Sequence, residues 1–204
     1  MLTVGLTGGI ATGKSLVRAG FAELGCATLD SDRIARRLVA PGQSALAEIT
    51  QAFGPDLLQS DGQLDRARLG ARVFRDPASR RRLEAILHPR IFALQEQFLT
   101  DARAAGRFAV AMIDAALMFE TGSYRRYSVV IVVHCRLEQQ LERLRARDLL
   151  SAAEAQRRIA AQWPLEEKAR RADLVIDNSG SRDATARQVN AAYLNLLSRL
   201  AFLE

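Results

Sequence analysis

Gly8-Gly9-Ile10-Ala11-Thr12-Gly13-Lys14-Ser15 fits G-x-x-x-x-G-K-[ST], and its flanks leave few folds open to the chain that carries it. Leu2-Thr3-Val4-Gly5-Leu6 reads as a short apolar strand before it, and Leu16, Ala19, Phe21 and Leu24 recur at helical spacing after it. Glycines let the backbone turn tightly enough for successive N–H groups to point at phosphate oxygens, and the helix N-terminus adds the positive end of its dipole. Gly8, Gly9, Ala11, Thr12, Gly13 and Leu16 are therefore expected around the phosphates of a nucleotide such as ATP. Lys14 is expected to reach the β- and γ-phosphates, and the Ser15 hydroxyl to ligate Mg²⁺. Lysine is rare here: of 29 basic residues only Lys14 and Lys168 are not arginine, so a lysine at this loop position is singled out.

Further apolar runs follow at helix-length intervals. Ala27-Thr28-Leu29 leads into Asp30-Ser31-Asp32, Phe108 to Ile113 is closed by Asp114, Val129 to Val133 is almost wholly β-branched, and Leu174-Val175-Ile176 comes last. Strands separated in this way call for right-handed crossovers. The expected architecture is an α/β P-loop NTPase fold in three layers, with a five-stranded parallel sheet. Gln43 to Arg107 reads as helical pieces broken at Gly54-Pro55, Asp61-Gly62, Asp76-Pro77 and His88-Pro89, hence a helical insertion over 43–107. Leu137, Leu141 and Leu144 mark one face of an Arg-rich helix, and Ser151 to Glu154 has capping-box spacing, which gives a helical lid over 137–168. The core is then 1–42, 108–136 and 169–204 of a single P-loop chain.

A phosphate loop does not name a reaction. Asp30 and Asp32, one residue apart at a strand end, would point to one face if the backbone stays extended, beside the loop at the carboxyl edge of the sheet. Asp32 there can accept a proton from a substrate hydroxyl, or orient it; capping of the next helix is the alternative, and for Asp30 the two stand level. Asp114 closes its strand as a metal-holding carboxylate would, with a turn or cap role equally open. Arg143 and Arg147 share a helical face, from which a lid can neutralise charge developing on phosphate and keep water out. Arg80-Arg81-Arg82, Arg157-Arg158 and Arg170-Arg171 read as solvated faces, and His88 as a structural residue rather than a base.

Several classes drop out. The net charge of +6 predicts attraction to polyanions, yet the arginines are scattered and aromatics are only 6%, so stacking platforms for nucleic acid are scarce. Cys26 and Cys135 lie in apolar stretches with no metal-ligand spacing, as buried free thiols do. No apolar run reaches membrane-spanning length and the start lacks the pattern of a signal peptide, so a cytoplasmic location without membrane partners is expected. The Asn-Lys-x-Asp guanine signature is impossible with lysines only at 14 and 168. Another small P-loop kinase, acting on a nucleoside monophosphate or a metabolite alcohol, remains the nearest alternative; oligomeric state is not legible.

The ordered set of motifs resembles the dephospho-coenzyme A kinases over nearly the whole chain. Leu6 to Ile10 through Lys14-Ser15 looks like that family's phosphate loop, Leu29 to Arg36 like its Asp-x-Asp segment, Leu87-His88-Pro89 like its His-Pro step, and Leu117-Met118-Phe119-Glu120 like its substrate loop. Gln140 to Arg143 with Arg147-Asp148, then Gln162, Glu167-Lys168, Ala172-Asp173 and Asp177-Asn178-Ser179-Gly180, follow its lid and nucleotide-base region. The resemblance implies transfer of the γ-phosphoryl of ATP, with Mg²⁺, to the ribose 3′-hydroxyl of a small-molecule acceptor, dephospho-coenzyme A. It implies Asp32, Lys14 and Arg143 in catalysis, Arg147, Asn178 and Gly180 at the nucleotide, and His88, Leu117, Phe119 and Glu120 at the substrate. Two positions depart from the family pattern: Ala11 replaces a usual glycine, costing stability if φ there is positive, and Ala116 replaces a usual proline, loosening the substrate loop.

Overall fold

Alternation along one strand sets the layers. In β4 (Val129–His134), Val129, Ile131 and Val133 join the larger apolar core while Val130 and Val132 join a smaller one on the opposite face. Covered on both sides, such a strand has every reason to be Val and Ile throughout. With β1 (Leu2–Gly8), β2 (Ala27–Asp30), β3 (Val110–Asp114) and β5 (Leu174–Asp177), it forms a five-stranded, wholly parallel sheet in the order β2-β3-β1-β4-β5, the architecture expected from the sequence. The computed structural model describes residues 1–201 apart from the Phe74 side chain; residues 202–204 of the expected 169–204 core segment lie outside it.

The chain forms two compact units, Met1–Asp30 with Leu99 onward, and Ser31–Phe98. In the first, α1 (Lys14–Glu23) and α9 (Arg182–Ala201) bury Val17, Phe21, Val189 and Leu196 against Leu2, Val4, Leu6 and Ile131. On the other face Phe119 and Leu165, the latter on α8 (Leu165–Arg170), cover Val130 and Val132. Gly5 has to be glycine, because a Cβ there would stand 2.6 Å from the sulfur of fully buried Met118. The remaining helices of this unit are α6 (Leu137–Asp148) and α7 (Ala152–Ala160), and the capping box expected at Ser151 and Glu154 is formed. Cys26 and Cys135 are buried free thiols; burial pushes the first up to about 12 and raises the second, so neither is a thiolate at neutral pH.

The second unit opens with α2 (Ser31–Leu38) and packs α3 (Ser44–Phe53), α4 (Arg66–Arg75) and the part of α5 (Pro77–Ala104) up to Phe98 around Val39, Leu46, Ile49, Phe53, Leu57 and Leu69. It begins twelve residues before the 43–107 insertion read from the sequence, because Val39 belongs to its core. Asp65 and Asp76 mark true helix starts, accepting from Arg68 N at 2.9 Å and from Ala78 N and Ser79 N at 2.9 Å each. His88-Pro89 is no break, contrary to the sequence reading: α5 runs through it for 28 residues. Pro89 cannot donate within the helix, and Arg90 Nη1 supplies a donor to Ile86 O at 2.6 Å in the disturbed turn. Among the described residues no helix is long and apolar enough to cross a membrane.

Candidate active site

Gly8 ends the central strand and Lys14 begins α1, so the glycine loop sits at the carboxyl edge of the sheet, where strand order reverses between β3 and β4 about β1. Gly13 has φ 92° and a side chain there would run into Asn178 Nδ2; at Gly8 a Cβ would stand 2.6 Å from the carbonyl of Val133. Within the loop Thr12, fully buried, donates to Gly9 O at 3.0 Å.

Ala11 has φ 60°, one of two non-glycine residues in the left-handed region among those described. An alanine held there is strained by roughly 1–2 kcal/mol, partly offset because alanine loses less chain entropy on folding than glycine. Ala11→Gly is therefore expected to stabilise by about 0.5–1 kcal/mol, about 1–4 °C in thermal midpoint for a chain of this size. Calorimetric melting checks it, and a lowered midpoint would mean that the loop is relaxed with alanine.

The loop is held from outside by side chains. Gln140 on α6 donates to Ile10 O at 2.7 Å, and Gln162 accepts from Ile10 N at 2.7 Å, so both backbone polar groups of one residue are taken by two glutamines. Asn178 Nδ2 donates to Thr12 O at 2.8 Å, and its Oδ1 is oriented by Thr185 Oγ1 at 2.9 Å. Arg143 donates to Asn178 O at 3.0 Å and to Thr12 O at 3.5 Å. Its helical neighbour behaves differently: Arg147 is exposed and bonds Asp148 at 2.7 and 3.1 Å. Gly180 lies in the turn between β5 and α9, and Leu16 is 39% exposed on α1.

Asp114 ends β3 nearly buried, opposite Asp30 in the sheet register. Lys14 Nζ is 3.7 Å from its Oδ1, while Arg18 places Nε 3.3 Å from its Oδ2 and Nη2 3.4 Å from Asp30 Oδ2. Asp30 thus has a structural partner. It ends its strand and α2 begins at Ser31, so the extended Asp30-Ser31-Asp32 stretch read from the sequence is not formed; Asp32 stands exposed in the first turn of α2. Ser15 places a hydroxyl beside the loop lysine in the first turn of α1. A hydroxyl and a carboxylate are hard oxygen donors, suited to Mg²⁺ that keeps its other positions for phosphate and water.

The loop after β3 holds three of the residues expected at the substrate. Leu117 is 48% exposed, while Phe119 is 2% exposed and packs against Tyr124 and Trp163 beneath the loop. Glu120 is paired with Lys168 at 2.7 Å and accepts from Trp163 N at 3.0 Å. His88, in the second unit, lies against Phe92. Sequence reasoning gave Arg18 no part in the site, and placed Gln140, Gln162 and Lys168 only as matches to the lid and nucleotide-base region of the family the chain resembles, with no role for their side chains. The scarcity of lysine pointed at the last of these; nothing distinguished Arg18 among 27 arginines.

A strand-to-helix phosphate loop on a parallel sheet in this order is the architecture of the small P-loop kinases. The shikimate kinase of Acinetobacter baumannii has the same fold, with a TM-score of 0.54 at 18% identity, over 98% of this chain and 94% of that one. A Thermus thermophilus crystal structure is more similar, with a TM-score of 0.81 at 33% identity over 96% of this chain and 97% of that one. The dephospho-CoA kinase family model matches residues 2–191, and the chain belongs to that family. The dephospho-CoA kinase of Geobacillus kaustophilus is 45% identical over 192 residues, 93% of this chain and 94% of the relative.

Proposed function

We propose that this kinase transfers the γ-phosphoryl group of ATP to the ribose 3′-hydroxyl of dephospho-coenzyme A, giving coenzyme A and ADP, the last step of coenzyme A biosynthesis. The observation that carries the reading is the family match across residues 2–191, phosphate loop included.

In this reading the N–H groups of the Gly8–Gly13 loop cradle the phosphates, and Lys14 places its charge on the β- and γ-oxygens. Ser15 and Asp114 hold Mg²⁺, which when bound neutralises charge on the phosphate oxygens. Asp32 takes or orients the proton of the attacking hydroxyl, and His88 and Leu117 belong to the acceptor's surroundings. Arg143, already donating beside Thr12, adds positive charge where phosphate charge develops; Asn178 supports the loop, with Gly180 and Arg147 toward the nucleotide. Since α6, the Gln162–Trp163 turn and Lys168 are tied to the core, closure of the 137–168 segment falls to α7 and the turn before it, excluding water from the transferred group. The enzyme works in the cytoplasm on small molecules.

ATP and Mg²⁺ with a panel of dephospho-coenzyme A, nucleoside monophosphates and shikimate tests the reading, with products identified by mass spectrometry. Phosphorylation of dephospho-coenzyme A alone is expected. Turnover only with another acceptor would keep the P-loop kinase and discard this substrate.

A further inference from the structure

Lys168 is fully buried in α8, and its ammonium spends its three protons on three acceptors: Glu120 Oε1 at 2.7 Å, Ala116 O at 3.2 Å and Gly8 O at 3.4 Å. Burying an ion pair is expensive, and an apolar side chain of similar volume would fasten α8 to the sheet at lower cost. What an apolar side chain cannot do is bind carbonyl oxygens. The two carbonyls belong to different loops at the same edge of the sheet. Gly8 is the first residue of the phosphate loop, and Ala116 follows Asp114 by two residues and opens the Leu117–Glu120 loop.

We propose that Lys168 is a positioning residue of the phosphotransfer site, its ammonium setting the spacing between the phosphate loop at Gly8 and the Ala116–Glu120 loop. Ala116 lacks a ring to fix its backbone, and its carbonyl is gripped instead by two donors, Lys168 Nζ and Thr7 Oγ1 at 3.2 Å. Glu120 is the counter-ion that lets the charge stay buried, and its second contact, with Trp163 N, ties in the turn before α8. The ammonium is also electrostatically coupled to Lys14: burial chiefly, and the Lys14 charge in lesser part, push the Lys168 pKa down, while Glu120 pulls it back up. The inference rests on the phosphotransfer reading for the reaction, but on geometry alone for the two loops.

A purely structural pair and a positioning residue give different results in three enzymes: wild type, Lys168→Met, and Lys168→Met/Glu120→Gln. Lys168→Met leaves a buried carboxylate without its counter-ion and should lower the thermal midpoint as well as activity. The double variant removes that stranded charge while leaving both carbonyls without the ammonium. Its midpoint is expected to return close to wild type, while kcat with dephospho-coenzyme A stays down by about 30- to 100-fold, the scale of loss from a small misplacement of reacting groups. Calorimetric affinity for a non-hydrolysable ATP analogue should change by no more than about 5-fold, since the loop N–H groups and Lys14 remain. Recovery of kcat together with the midpoint would overturn the proposal and leave Lys168 a structural residue. Absence of turnover of dephospho-coenzyme A by the wild type would overturn the functional reading instead, and the acceptor found in the panel would then be used in the same three enzymes.

Discussion

Lys14→Ala is expected to lower kcat/KM by about 10³-fold or more while leaving the fold intact. The lysine follows Gly13, whose φ of 92° and approach to Asn178 admit no side chain, so the turn that aims α1 at the phosphates is determined by neighbours and not by Lys14 itself. Its ion pair with Asp114, at 3.7 Å, is not the carboxylate's sole support, since Arg18 Nε stands 3.3 Å away. Because Arg18 still holds Asp114, removing the ammonium should leave the enzyme folded, while removing the charge that offsets the growing negative charge on phosphate. Circular dichroism should be unchanged and steady-state turnover nearly lost; activity within about ten-fold of wild type would mean that the loop backbone and arginines suffice without it.

What the sequence made legible follows from how local each cause is. β4 was readable because burial on both faces demands an unbroken apolar run, and the phosphate loop because tight turning demands glycine at particular places. The positive φ at Ala11 confirms a strain that the family pattern alone suggested. Errors came where the cause is distant in the chain. His88-Pro89 looked like a helix break, but α5 continues through it, with Arg90 supplying a side-chain donor in that turn. The packing of Phe119 between Tyr124 and Trp163 was likewise not legible, because it depends on a loop whose neighbouring Met118 fills the space that Gly5 leaves on the sheet. Arg18 could not be picked out because its role depends on α1 standing over the ends of β2 and β3, where Asp30 and Asp114 come into register. Two glutamines on Ile10 are equally a product of tertiary structure: they lie 22 residues apart and meet only because α6 and the turn before α8 both return to the loop.

Asp32→Asn is expected to lower kcat by about 10²- to 10⁴-fold, the range general base catalysis supplies. The substitution keeps the shape of the side chain, which matters because asparagine can still accept a hydrogen bond from a hydroxyl but cannot carry away its proton. Asp32 is exposed in the first turn of α2, where a negative charge is favourable by about 0.3–1 kcal/mol, so the variant should lose little stability and melt as a folded enzyme. Asp30 offers no substitute: it is engaged by Arg18 at 3.4 Å and ends its strand before α2 begins. A residue that merely orients the hydroxyl contributes little that asparagine cannot, since the amide oxygen still accepts its hydrogen bond. A drop of two orders of magnitude or more in kcat, with the ATP-analogue affinity unchanged, therefore assigns proton transfer to Asp32. Retention of most activity would assign it orientation at most, leaving phosphoryl transfer to the charges around Lys14 and Arg143.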